Sequence, residues 1–108
     1  MATFVLVHGA WGGGWEWRRV ADLLRAGGHV AFAPTLTGLG ERAHLAGPDV
    51  DLETHVADVV GVLTFEDLRD AVLVGHSSSG SVVTGAADRA PERLRRLVYV
   101  DAVVPAAD

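Results

Sequence analysis

The stretch Val74-Gly75-His76-Ser77-Ser78-Ser79-Gly80 decides how this chain is read. It follows the continuous apolar run Ala71-Val72-Leu73-Val74 and leads into Ser78 to Arg89, a segment rich in small residues and ended by Pro91. A short buried run followed by a helical segment makes a strand, a turn and a helix. Ser77 then stands on the turn, where the backbone is crowded and the neighbouring residues must be small. A residue held in such a turn stores on the order of 1–3 kcal/mol of strain, which persists where function exploits it. The spacing is that of the G-x-S-x-G elbow, with Ser79 in place of the last glycine and Gly80 one position later. A serine at this place also has a simpler use as the N-cap of the following helix, and Ser78 or Ser79 could serve that purpose as well as Ser77.

Outward from the elbow, the chain alternates. Phe4-Val5-Leu6-Val7 reads as a buried strand ending at His8-Gly9, and the glycine-rich loop Gly9-Ala10-Trp11-Gly12-Gly13-Gly14 follows. Trp15 to Arg25 places Trp17, Val20, Leu23 and Leu24 on one helical face, with Gly27-Gly28 as its stop. Val30 to Ala33 is a second strand, broken by Pro34. A long loop from Thr35 to Asp51 carries Gly38, Gly40, Gly47 and Pro48. Asp51 can cap a helix running through about Phe65, with Val56, Val59, Val60 and Leu63 on one face. Leu97 to Val100 is the fourth strand. The order β-α-β-α-β-α-β predicts an α/β fold with a parallel sheet and right-handed crossovers.

Composition sets the outer limits. In 108 residues, 49% hydrophobic and 21% charged, the chain has ample apolar surface to offset its ordering entropy, so disorder is excluded. One small domain of this size buries about 65% of its unfolded surface. That permits a core but no large enclosed site with its own lid. No apolar run is long enough to span a bilayer. The opening Met-Ala-Thr-Phe-Val-Leu-Val-His has no basic region and is not expected to be a signal peptide. Cysteine is absent, which excludes disulfides and thiolate chemistry in this chain and fits a cytoplasmic location. With 9 basic against 14 acidic residues the net charge is -5, so no nucleic-acid partner is expected. Arg93, Arg95 and Arg96 form the one dense basic cluster and read as partners of a helix dipole. All nine basic residues are Arg, which leaves no amine for Schiff-base chemistry.

Acyl transfer needs backbone N–H donors aimed at the developing oxyanion. Two loops, after the first strand and after the Ser77 turn, lie at the carboxyl ends of strands, where α/β sheets place their ligands. That pairing favours Ser77 as a nucleophile over a simple helix cap. Gly12-Gly13-Gly14 lacks the acidic partner of a dinucleotide fingerprint, so no phosphate site, cofactor or metal is expected. His76 adjoins Ser77 in sequence but should point away from it, and His29, His44 and His55 read as structural. Trp11 is a candidate for the border of an acyl pocket, whereas Trp15 and Trp17 read as packing residues.

The chain resembles the N-terminal half of an α/β-hydrolase. More narrowly, it is similar to the branch of plant salicylate-methyl-ester esterases, hydroxynitrile lyases and bacterial pyrethroid-hydrolase-like esterases. The resemblance is carried by Phe4 to Trp11, Trp15-Glu16-Trp17, Gly28-His29, Thr37 to Arg42, Gly75-His76-Ser77 and Tyr99-Val100-Asp101-Ala102. It implies that Ser77 is the nucleophile and that the N–H groups of Ala10 and Ser78 form the oxyanion hole. It also implies that His8, beside that loop and on the substrate side with Trp11, is structural or supports the site. In such hydrolases the acid and then the histidine follow the nucleophile. No histidine follows Ser77 here. Asp101, at the end of the fourth strand, is a candidate acid, although the resembling branch takes its acid from the next strand.

The expected function is therefore hydrolysis of a small carboxylic ester through an acyl-enzyme on Ser77, with the general base supplied from outside these residues. Two alternatives remain open. One is lyase or cyclase chemistry on the same fold, weakened by Gly9 and by the absence of Lys. The other is a ligand-binding relative without catalysis. The segment Leu97 to Val104 is expected to form an apolar sheet edge. Residues 1–108 are accordingly expected to be one part of a single hydrolase domain. A complementary C-terminal chain or segment should pair with that edge and supply the acid and the histidine.

Overall fold

The structure, a computed structural model, describes residues 1–105. Four strands, β1 (Thr3–Val7), β2 (Val30–Phe32), β3 (Ala71–His76) and β4 (Leu94–Val100), pair in the order β2-β1-β3-β4. Every pairing is parallel. Three α-helices connect them: α1 (Arg18–Ala26), α2 (Leu52–Phe65) and α3 (Gly80–Arg89).

Side-chain alternation sorts the two faces. Val5 and Val7 of β1 and Ala71 and Leu73 of β3 point to one side, where Val56, Val59 and Leu63 of α2 and Val82, Val83 and Ala86 of α3 cover them. Leu6 and Val74 point to the other, against Ala21 of α1 and Ala31 of β2. Each fully buried Leu or Val contributes on the order of 1.5–3 kcal/mol, and most of them lie on the α2–α3 side. The two-sided arrangement follows from crossover handedness. The chain leaves β1 towards one edge and then returns past β1 to β3 and β4, and with a constant hand the helices must change face at that reversal. The reversal opens a crevice at the carboxyl ends of β1 and β3.

Three details differ from the sequence reading. First, Gly14–Trp17 forms a 3-10 turn before α1. The core-facing stripe is therefore Trp17, just before α1, with Ala21 and Leu24, of which Ala21 is buried and the other two partly so, while Leu23 is 74% and Val20 41% exposed. Secondly, β4 begins at Leu94 and carries Arg95 and Arg96, so only Arg93 serves a helix end. That end belongs to α2, whose Leu63 carbonyl accepts from Arg93 Nη1 at 3.1 Å, as does the Leu68 carbonyl beyond it. Thirdly, the exposed edge does not run to Val104. Asp101 turns the chain at φ 46°, and the Val103 N–H donates to the Ser77 carbonyl at 2.9 Å. The edge is thus Leu94–Val100, blunted at its start by two arginines.

Candidate active site

Ser77 has φ 56°, the left-handed region that a residue with a Cβ rarely occupies. Small neighbours make this possible. A Cβ on Gly75 would lie 2.6 Å from Val83 Cγ2, and one on Gly80 would overlap the Val103 carbonyl. Ser79, where the elbow pattern expects glycine, is 1% exposed and does more than fit. Its hydroxyl accepts from the His76 N–H at 2.8 Å and shares its proton between the carbonyls of His76, at 2.8 Å, and Val7, at 3.1 Å. The ends of β1 and β3 are thereby joined beneath Ser77. Ser77 and Ser78 are exposed.

The loop after β1 closes on the elbow from the other side. A Cβ on Gly9 would stand 3.1 Å from Ser77 Cβ, so glycine permits this approach. The Ala10 N–H donates to Ser78 Oγ at 2.8 Å. Glu16 bridges both loops: one oxygen accepts from the Gly9 N–H at 3.3 Å, and the other meets His76 Nδ1 at 2.8 Å. His76 also stands edge-on to Trp17, on the α1 side of the sheet and away from Ser77, as its sequence position predicts.

His8 is fully buried. Its Nδ1 faces the Gly9 carbonyl at 2.8 Å, and its Nε2 accepts from the Leu36 N–H at 3.0 Å. A carbonyl can only accept, so the proton is on Nδ1 and both nitrogens are occupied. His8 lines the cleft, with both of its ring nitrogens held by backbone groups. His29 Nδ1 accepts from the Ala2 N–H, and His55 Nε2 donates to the Thr37 carbonyl. These rings hold backbone.

Trp11 is 95% exposed. Its φ is 69°, and the residues that line the cleft do not include it. Asp101, exposed at the turn after β4, makes no hydrogen bond or ion pair among the described residues. Nothing in the described residues links it to a histidine.

The cleft beside the elbow has a volume of about 330 Å3, with Leu36, Leu39, Leu52 and Val82 as apolar walls. Ala10 and Ser78 also line it. A network that spacing did not reveal supports it. The Thr35 hydroxyl accepts from the Gly14 N–H and donates to Glu41, both at 2.8 Å, and Arg42 donates to the Thr35 carbonyl. The backbone N–H of Glu41 and the Thr35 hydroxyl hold the Glu41 carboxyl below its ordinary value. Asp58 accepts from both the N–H and the hydroxyl of Thr37, at 2.7 and 2.8 Å. Among the described residues no acidic and histidine cluster could hold a metal, and no helix is long and apolar enough to cross a membrane.

Comparison with known proteins places this geometry. Over 105 residues the chain is 57% identical to a carbendazim hydrolyzing esterase from a Nocardioides species, covering 97% of this chain and 43% of the relative. It is 36% identical over 105 residues to the rice esterase PIR7B, covering 94% and 39%. An extracellular alpha/beta-hydrolase from a Paenibacillus species, described as sharing structural and functional homology with Tobacco Salicylic Acid Binding Protein 2, superposes with a TM-score of 0.90 at 35% identity, covering 98% of this chain and 43% of that one. The chain thus spans under half the length of these relatives. A sequence profile described as the Alpha/beta hydrolase family matches residues 4–108. Matching profile, strand order and elbow together mean that the chain belongs to the alpha/beta hydrolase family.

Proposed function

We propose that residues 1–108 are the nucleophile-bearing part of a carboxylic ester hydrolase, with Ser77 as the nucleophile. The observation that carries this reading is the left-handed φ of Ser77 at the carboxyl end of β3, facing the loop of Gly9 and Ala10. Strain at an exposed polar residue points to use, and the esterase names among the relatives point to the same chemistry. The Ala10 and Ser78 N–H groups polarise the carbonyl oxygen as it becomes an oxyanion. Ser77 Oγ adds to the ester carbon, its proton goes to a histidine outside these residues, and collapse of the adduct expels the alcohol and leaves the acyl-enzyme. Water then repeats the sequence on the acyl-enzyme and releases the acid.

The remaining part of the hydrolase pairs with the Leu94–Val100 edge and supplies the histidine and the acid. Asp101 stays as a substitute acid only if that part lacks one. The apolar cleft favours a small acyl or alcohol group, and carbendazim belongs in the substrate panel because of its place in the name of the Nocardioides relative. The cytoplasmic location rests on the cysteine-free composition. The Paenibacillus relative is extracellular, so fractionation of the producing cell decides this point.

The test is labelling by a fluorophosphonate. The full-length protein should label and hydrolyse aryl esters, and Ser77→Ala should abolish both. Retention of labelling in that variant sinks the assignment. The 108 residues alone should show only the small residual catalysis of binding and oxyanion contacts.

A further inference from the structure

The hydroxyl of Ser78 occupies the very donor that the proposed chemistry needs. Ser78 Oγ accepts from the Ala10 N–H at 2.8 Å, across 68 positions of sequence. It is not a helix cap: α3 has Ser79 at its N-cap with no side-chain bond, and Ser78 turns instead to the opposite loop. A serine hydroxyl has one proton and two lone pairs. Accepting from Ala10 uses a lone pair and leaves the proton free, on a residue that is exposed and lines the cleft.

A carbonyl oxygen entering beside Ser77 can meet this arrangement in two ways. It can displace Ser78 Oγ from Ala10, which breaks a good bond before chemistry starts. Or it can accept from the Ser78 hydroxyl while that hydroxyl still accepts from Ala10. The second keeps every bond, and hydrogen bonds in series polarise one another. We propose that the Ser78 hydroxyl donates to the oxyanion directly, beside its own N–H, and relays to it the pull of the Ala10 N–H. The proposal rests on Ser77 being the nucleophile. When Ser77 Oγ adds to the ester carbon, the carbonyl π pair moves to oxygen, and the Ser78 proton stays on Ser78 while bonding to that oxyanion. The Ser77 proton leaves to the external base, so Ser78 exchanges no proton with the substrate.

The experiment uses the full-length protein with p-nitrophenyl butyrate as substrate and an alkyl trifluoromethyl ketone as tetrahedral mimic. Loss of a single oxyanion donor costs about 10²–10³ in kcat where few donors are present. With the Ser78 N–H retained and the Ala10 N–H left without its relay, Ser78→Ala should lower kcat by about 10- to 100-fold and weaken the ketone by a similar factor, with KM changed less than about twofold. Ser78→Thr should restore most of the rate, and Ser78→Cys, of similar shape but a weak donor, should fall between. A purely structural role would move KM or thermal stability instead of this kcat and ketone pair. An unchanged or raised kcat in Ser78→Ala overturns the proposal and makes the hydroxyl a plug. If Ser77→Ala keeps its activity, the nucleophile assignment fails and this proposal falls with it. If Ser77→Ala is inactive and Ser78→Ala is unimpaired, only this proposal fails.

Discussion

Ser79 and Ser78 are adjacent, chemically identical, and predicted to respond oppositely to the same substitution. Ser79 is 1% exposed, and its hydroxyl takes the His76 N–H while giving its proton to two carbonyls at the ends of β1 and β3. Alanine fills nearly the same space but leaves the His76 N–H without an acceptor. A buried donor stranded in this way costs about 1–3 kcal/mol, and the lost hydroxyl bond about 1 kcal/mol more, offset by no longer burying a hydroxyl. A net loss of about 2 kcal/mol is expected for Ser79→Ala in urea denaturation of the full-length protein. Ser78→Ala, at an exposed site, should stay within about 0.5 kcal/mol of the parent. Ser79→Gly, although it restores the usual elbow pattern, should lose about 0.5–1 kcal/mol more through backbone freedom. A Ser79→Ala change below about 0.5 kcal/mol would refute the view that this hydroxyl fastens the two strand ends together.

Three further outcomes follow from other parts of the fold. Arg93→Ala should cost about 2 kcal/mol in the same denaturation assay, because the Leu63 and Leu68 carbonyls lose a charged donor. Asp67, held below its ordinary value chiefly by its hydrogen bond from Arg93, is exposed, so Asp67→Asn should cost distinctly less. Glu41 is likewise depressed in the folded state, so its ionised form favours folding above the ordinary carboxylate value. That contribution is lost as pH falls through and below that value. Carboxyl titration by NMR should show Glu41 below a free glutamate, and Thr35→Val should move it back up.

Some of this molecule could be read directly from its residues. β1 and β3 were legible because a strand buried on both faces is an unbroken apolar run, and α2 because Val56, Val59 and Leu63 repeat at helical spacing. α1 misled for a local reason. The 3-10 turn over Gly14–Trp17 resets the phase, and Ala21, the residue at the heart of the contact, is too small to announce itself. β4 began three residues earlier than its apolar run because Arg95 and Arg96 project from an edge where charge is tolerated. The elbow itself was legible from small residues between a strand and a helix. Its supports were not: Thr35 reaches Gly14 across 21 positions, His8 reaches Leu36 across 28, and Ser79 reaches Val7 across 72. Such bonds depend on the tertiary approach of loops, which leaves no periodic mark on the chain. The exposed position of Trp11 was hidden for a related reason, since a left-handed φ at a tryptophan has no compositional signal.

The hydrogen bond from Val103 to the Ser77 carbonyl gives the site a mechanical dimension. The peptide that follows Ser77 is held by the segment leaving β4, and Gly80 leaves room for that segment, since any side chain there would collide with the Val103 carbonyl. The position of Val103 therefore bears directly on the carbonyl of Ser77, a residue held at a left-handed φ. A side chain at position 80 would push Val103 away and cost Ser77 that bond.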